Sequence, residues 1–422
     1  MTEGSHRRTV YSWALYDWAN SAFATTVMAG FFPVFFKQYW ASDLAVTESS
    51  FQLGLANSVA SIVMVVLAPL LGAIGDRSGS KKRFLLFFAM MGIVMTGGLF
   101  MVAAGHWMLA VMLYGLALLG FTGGNIFYDA LLVEVAEERE YDRVSALGFA
   151  LGYAGGGLLF AFDILMTLYP RFFGMEDAVE AVRYAFLSVA IWWAIFSLPM
   201  LFFVKERHPG QTSLLRAVTE GVGQLAATFR KIHRLRMTFL FLVAYWLYID
   251  GVDTIVRMAV DYGLSLGFDA NALMIALLIT QFVGFPAAVV FGRIGERRGP
   301  KQGIMLAIFV YLVVIFWAFR MDESREFYAL AVAVGLVQGG IQALSRSFYA
   351  RLIPPDEAGE FFGFYNMLGK FAAVIGPVTM GWVGSVTGDT RYGILSVALL
   401  FISGGLLLAR VDEAEGRRAV AG

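Results

Sequence analysis

Eight side chains hold most of the chemistry available to this 422-residue chain. Asp17, Asp129, Asp163, Asp250, Asp253, Arg257, Arg346 and Lys370 each lie inside a long apolar run. A carboxylate in such surroundings can take up a proton, receive an ammonium group or pair with a base, and a guanidinium or ammonium can receive a carboxylate. A charge at the centre of a bilayer costs at least about 2.5–3.5 kcal/mol even on insertion scales. Each of the eight therefore needs a partner, a water-filled cavity or both. Asp253 and Arg257 are four residues apart with the acid first, the spacing of a helical ion pair. Asp250 precedes Asp253 by three, so the three are expected on one face, an arrangement suited to carrying a proton. Asp17 and Asn20 share a helical face. Arg346 sits in the small-residue stretch ALSRS and calls for a buried carboxylate such as Asp129, or for an anionic group on a substrate. Lys370, after Gly369, is read the same way, while Asp163 reads first as a packing residue.

Other chemistry is excluded. There is no cysteine, so no disulfide framework and no thiolate metal or redox site. The four histidines, His6, His106, His208 and His233, all fall outside the apolar runs, which removes haem ligation and zinc motifs from the spans. No nucleotide-binding loop or intramembrane protease pair occurs, so neither an enzyme nor a cofactor or metal is expected.

The elements that must position these charges follow from composition. The chain is 59% hydrophobic and 15% charged, with 46 glycines and a formal net charge of zero. A soluble domain carries roughly 25% charged residues, so lipid is the expected solvent. A nucleic-acid partner, which would require a charge excess, is excluded. A bilayer core about 30 Å thick needs about 20 apolar residues of helix. Runs of that kind occur at about 11–39, 51–74, 83–105, 107–135, 142–168, 184–204, 237–262, 270–293, 301–319, 326–352, 360–386 and 392–410. Twelve spans put both termini on one side, and the first run lacks a signal-peptide cleavage site. Of the 32 Lys and Arg residues, 23 fall on the side of the termini, six on the other and three within spans, which places both termini in the cytoplasm.

The longest polar interval, 205–236, divides the chain into residues 1–204 and 237–422. Within it Leu214, Val218, Val222, Leu225, Phe229 and Ile232 recur at helical spacing beside Arg216, Arg230, Lys231, Arg234 and Arg236, as in an amphipathic helix lying on an anionic leaflet. The halves repeat each other. GAIGDRSGSKK from Gly72 matches GRIGERRGPKQ from Gly292, Ala130 matches Ala350 at the same offset, and YDWANSA from Tyr16 echoes YIDGVDT from Tyr248. Duplicated six-helix halves are how many secondary transporters build a midplane cavity. In the glycine-rich turn, Gly72 and Gly75 are expected to let the second and eleventh spans approach, and Gly79 to permit the tight turn. Asp76 is expected to face a helix N-terminus and pair with a base.

GAIGDRSGSKK resembles the loop 2–3 motif of the major facilitator superfamily, with Ser80 in place of a usual arginine and Glu296 in place of the usual aspartate in the second copy. YDWANSAFATTVMAGFFPVFF, LGYAGGG, YIDGVDTIVRMA and IQALSRSFYARLIPPDEAGEFFGFYNMLGKFAAVIGP resemble the vacuole-effluxer-like branch, related to autophagy-linked amino-acid effluxers. The resemblance implies an all-α polytopic fold of two pseudo-symmetric six-helix bundles. It implies a cavity lined by helices 1, 4, 7 and 10 and flanked by 2, 5, 8 and 11, and all eight intramembrane charges fall on helices of those two sets. It also implies alternating access, with Gly72, Asp76, Arg77, Gly79 and Gly292, Glu296, Arg297, Gly299 in the switch loops. The expected function is proton-coupled transport of a small polar or zwitterionic solute such as an amino acid by a monomer in the cell membrane. The expected substrate or proton pathway is Asp17, Asn20, Asp129, Asp250, Asp253, Arg257, Arg346 and Lys370. Two alternatives stand beside this reading: efflux of organic cations, suggested by five intramembrane acids against three bases, and a non-transporting receptor.

Overall fold

The computed structural model describes residues 3–44, 46–206, 227–265 and 270–421, and among these there is helix and no strand. Among the described residues, twelve helices are long and apolar enough to cross a membrane. They are α1 (Glu3–Trp40), α2 (Gln52–Ser78), α3 (Lys81–Leu99), α4 (Trp107–Val135), α5 (Glu138–Leu168) and α6 (Ala178–Phe203), then α7 (Arg236–Ala259), α8 (Ile275–Arg298), α9 (Pro300–Arg320), α10 (Arg325–Arg351), α11 (Pro355–Thr387) and α12 (Thr390–Ala409). A short helix, α13 (Glu413–Ala421), ends the chain. Of the expected amphipathic linker, residues 207–226 lie outside the described residues. Residues 227–234 are helical, and Lys231 pairs with Glu357 at 2.7 Å.

The turns follow local chemistry. Gly79 and Gly299 hold φ of 56° and 88°, a region that only glycine enters without strain, so both copies of the repeated motif turn at their glycine. Pro33 explains the form of α1. It cannot donate to the carbonyl four residues earlier, and its ring crowds that carbonyl. The preceding turn widens into a π-helix over Phe23–Phe31, a departure that recurs at functional sites.

Both termini lie on one face, called here the terminal face. His6 meets Glu140 at 2.7 Å, and Arg417 of α13 pairs with Glu138 at 2.6 Å. Bonds between the first six and the last six spans concentrate there. Asp76 at the end of α2 accepts the N–H groups of Gly359 (2.9 Å) and Glu360 (2.7 Å) at the start of α11. Lys81 reaches Asp76 at 2.9 Å and Glu134 at 3.2 Å. This is an anion held at a helix N-terminus and neutralised by a buried base. Gly72 permits it: a Cβ at that position would stand 2.0 Å from the carbonyl oxygen of Gly359. Gly75 does not share this role. It faces the Phe127 ring of α4, because a residue three positions on turns to a different neighbour. A second layer centres on Asp142 of α5, which accepts from Ser347 at 2.5 Å and Arg351 at 2.6 Å, both on α10.

The second motif copy is looser. Glu296 approaches Arg143 only to 3.9 Å, and both side chains are partly exposed. Gly292 packs on Ala146 of α5, while Arg297 is exposed and Arg77 half-buried.

The chain lacks cysteine, so one introduced thiol can report closure of the terminal face. Ala343→Cys on α10 would place it in a fully buried position. Combining it with Gly72→Val or Asp76→Ala should raise its alkylation rate from the terminal face by roughly tenfold or more, the loss of one or two charge-assisted hydrogen bonds. Unchanged rates would show that this layer does not hold the face shut.

Candidate functional site

Above the two layers lies a cavity of about 340 Å³ between the two sets of six spans. Its floor is the pair of Arg346 and Asp129. Arg346 Nη1 donates to Asp129 at 3.0 Å, its Nε to the Ser145 hydroxyl at 2.9 Å and its Nη2 to the Ser145 carbonyl at 2.9 Å. The guanidinium lies 5.0 Å from the Trp13 ring centroid, 5.1 Å from that of Tyr128 and 4.4 Å from that of Phe149, an aromatic cage that accepts a cation on its faces. Asp129 also accepts from the Asn366 amide at 3.0 Å. One buried ion pair thus ties α4 and α5 to α10 and α11. Three bonded layers separate the cavity from the terminal face.

The lining is polar and mixed in charge. Three carboxylates (Asp17, Asp129, Asp253) and two bases (Arg346, Lys370) stand among the amides Asn20, Asn125, Gln281, Gln338, Gln342 and Asn366. Asp17 accepts from Ser21 at 3.0 Å and Tyr128 at 3.4 Å. It reaches the cavity edge because α5 presents glycine to α1: a Cβ on Gly152 would come within 2.8 Å of the Asp17 carboxylate. Asn20 donates to Asn125 at 2.6 Å, and Gln281 of α8 donates to Thr25 of α1 at 3.1 Å. Tyr128, Tyr153, Tyr245 and Tyr365 supply aromatic surface.

Six of the eight expected pathway residues therefore line one cavity: Asp17, Asn20, Asp129, Asp253, Arg346 and Lys370. Asp250 and Arg257 do not. The expected shared face breaks up because Asp250 turns to α11, where both its oxygens take the N–H of Gly376 at 3.0 and 3.1 Å. That N–H stands one residue before Pro377, which interrupts the helical bonding of α11. The expected Asp253–Arg257 pair is also absent: among the described residues no salt bridge joins them. Asp253 faces the cavity with Lys370 and Arg257 as its charged neighbours, and Arg257 is exposed. Lys370 makes no salt bridge among the described residues.

Asp163 lies away from the cavity, buried between α5 and α6. Asn57 likewise serves packing, bonded to Tyr114 at 3.1 Å.

Asn125, Gln338, Gln342 and Asn366 were not anticipated. Each stands one or two helical turns from a charge already singled out: Asn125 before Asp129, Asn366 before Lys370, and Gln338 and Gln342 before Arg346. The four-residue spacing was the available signal.

Comparison with known proteins agrees with this architecture. The chain matches the family described as "Vacuole effluxer Atg22 like" over residues 39–141 and 133–421. It is 38% identical over 404 residues to an uncharacterized MFS-type transporter, YxiO, of Bacillus subtilis, covering 95% of this chain and 94% of that one. It is 28% identical over 300 residues to Autophagy-related protein 22 of Cryptococcus neoformans, covering 65% of this chain and 51% of the fungal protein, so the match spans about half of that relative's length. Among solved structures, the human organic anion transporter MFSD10 superposes with a TM-score of 0.72 at 15% identity, covering 96% of this chain and 99% of that one. FucP in its outward conformation superposes with a TM-score of 0.71 at 12% identity, covering 96% and 98%. Identities this low speak to fold alone. A twelve-span architecture, a polar cavity between the two sets of spans and matches along nearly the whole sequence agree: this chain is a membrane transporter of the major facilitator fold and belongs to the Atg22-like vacuole effluxer family.

Proposed function

We propose that the protein carries small zwitterionic solutes, amino acids foremost, across the membrane by alternating access, with a proton as the coupling ion. The observation that carries this reading is the unequal commitment of the cavity charges. Arg346 is spent on Asp129 and the Ser145 backbone. Lys370, Asp17 and Asp253 share the same cavity without a salt bridge among them. A solute carboxylate fits Lys370, and its ammonium fits Asp17 or Asp253.

The charge count supports the coupling ion. Among the lining residues outside the Arg346–Asp129 pair, two carboxylates stand against one lysine, a surplus negative charge that a zwitterion of zero net charge does not offset. One proton does, and low-dielectric surroundings favour the neutral sum.

The Arg346–Asp129 pair then acts as gate rather than as ligand. It sits where the bundles must part for the cavity to reach the terminal face. With the termini in the cytoplasm of a cell-membrane protein, as the Lys and Arg distribution supports, the closed face is the cytoplasmic one. The protein is read as a monomer, because the two sets of six spans of one chain enclose the cavity between them.

Counterflow of a labelled amino acid in proteoliposomes tests the assignment. Lys370→Gln and Asp253→Asn should each weaken apparent solute affinity by about 2 kcal/mol or more, roughly thirtyfold, the cost of leaving a buried charge unmatched. Asp250→Asn, outside the cavity, should lose far less. Wild-type counterflow in both cavity variants sinks the site. Competition by lipophilic organic cations but not by amino acids replaces this reading with organic-cation efflux, and no counterflow of any solute leaves a receptor.

A further inference from the structure

Two carboxylates in the spans, Asp163 and Asp250, lie off the cavity without a salt bridge among the described residues, and only Asp250 has both oxygens hydrogen-bonded. Asp163 of α5 is 0% exposed. Its Oδ1 accepts from the Ser188 hydroxyl of α6 at 2.9 Å. Among the described residues its Oδ2 is buried without a hydrogen-bond partner, and so is Oγ1 of Thr26, also 0% exposed. The Thr26 side chain lies against the Asp163 carboxyl. Thr26 belongs to the π-helical stretch of α1, Phe23–Phe31.

The surroundings offer no fixed positive charge. No salt bridge reaches Asp163 among the described residues. On α6 the nearest base, Arg183, donates to the Phe100 carbonyl at 2.9 Å and lies over the Phe100 ring, and Tyr184 packs on the same ring. On α1 the nearest titratable group, Asp17, bonds Ser21 and Tyr128. Between Asp142 and Asp163, α5 carries no acidic residue, and its one basic residue, Arg143, pairs with Glu140 at the terminal face. Asp250 provides the contrast, since both its oxygens receive a backbone N–H. A carboxylate inside a bilayer with one oxygen unsolvated is costly unless a positive charge accompanies it. Oxygen atoms from a carboxylate, two hydroxyls and a distorted helix are the groups with which transporters hold sodium or a proton beside broken helices.

We propose that Asp163, Thr26 and Ser188 form a monovalent-cation site within the first six spans, separate from the solute cavity, that takes sodium or a proton. Its occupancy pins the π-helical part of α1 to α5 and α6. Because α1 also carries Asp17 and Asn20, the site stands where a bound cation would set the position of the cavity wall. The inference does not depend on which solute the cavity accepts.

The test uses the purified full chain in nanodiscs without solute, and its readout is the thermal unfolding midpoint. Sodium chloride is exchanged for choline chloride at constant ionic strength, at about pH 6 and about pH 8. For a sodium site, the midpoint rises saturably with sodium at the higher pH, and Asp163→Asn abolishes the rise. For a proton site, sodium has no effect, and Asp163→Asn removes part of the stabilisation that wild type gains on acidification. Should Asp163→Asn fail to fold, Thr26→Val takes its place and should raise the half-saturating sodium concentration, or for a proton site move the proton concentration at half-effect, by about tenfold or more. Wild type, Asp163→Asn and Thr26→Val responding identically to sodium and to pH would overturn the proposal, as would a Thr26→Val response equal to wild type where Asp163→Asn does not fold. Because no solute is present, this outcome is independent of the counterflow result.

Discussion

The contact between Arg346 and Asp129 fixes how the rest of the molecule is arranged. Each charge alone would be prohibitive at that depth, and burying both repays the cost only when their remaining hydrogen-bonding groups are also satisfied. Ser145 meets the guanidinium twice, Asn366 meets the second carboxylate oxygen, and three aromatic rings surround the cation. Those partners come from α1, α4, α5, α10 and α11, so satisfying one ion pair requires five spans in register. The pair is both the floor of the cavity and part of the seal beneath it. Separating the bundles there means hydrating two charges together, and such a contact has two states rather than a continuum.

The internal repeat shows how one device diverged after duplication. The first copy places Asp76 against the N-terminus of α11 with Lys81 behind it. The second copy carries Glu296, one methylene longer, which meets Arg143 loosely at a partly exposed surface. The work passes there to Asp142, a residue on the opposing helix, which receives Ser347 and Arg351. Arg351 also meets Glu413 of α13 at 3.3 Å, so the end of the chain joins the seal on that side. The two halves keep the same turn, marked by Gly79 and Gly299, but not the same lock.

The twelve spans were legible because length and apolarity are what a bilayer selects, though their limits differ from the observed helices by up to eight residues, the most at the polar start of α1. Which helices face the cavity was legible from where charges interrupt the apolar runs. The partners of those charges were only partly so. Arg346 with Asp129 was anticipated because an isolated arginine demands a carboxylate. The place of Asp250 and the pairing of Asp253 with Arg257 were misjudged because helical spacing specifies a face to within a turn, whereas Asp250 answers to a backbone N–H on another helix, beside Pro377. The amides Asn125, Gln338, Gln342 and Asn366 escaped notice because an uncharged polar group inside a span costs little enough not to stand out. Trp13 and Tyr128 stack at 4.3 Å to build part of the arginine cage, a relation across 115 residues that no local pattern records.

What neutralises each intramembrane carboxylate sorts the set better than its position does. Asp76, Asp129 and Asp142 face fixed bases and lie in the bonded layers toward the terminal face. Asp250 is held by a backbone N–H and serves the packing of α7 on α11. Asp17, Asp253 and Asp163 have no fixed base in salt-bridge contact among the described residues, and all three lie above the floor, in the half of the protein that the closed layers leave free. Permanent counter-ions therefore stand where the structure must hold, and carboxylates without them stand where a charge must be able to arrive and depart. A transporter needs both kinds, because the energy that seals one face must not depend on the cargo, while the groups that sense the cargo must stay incomplete until it binds.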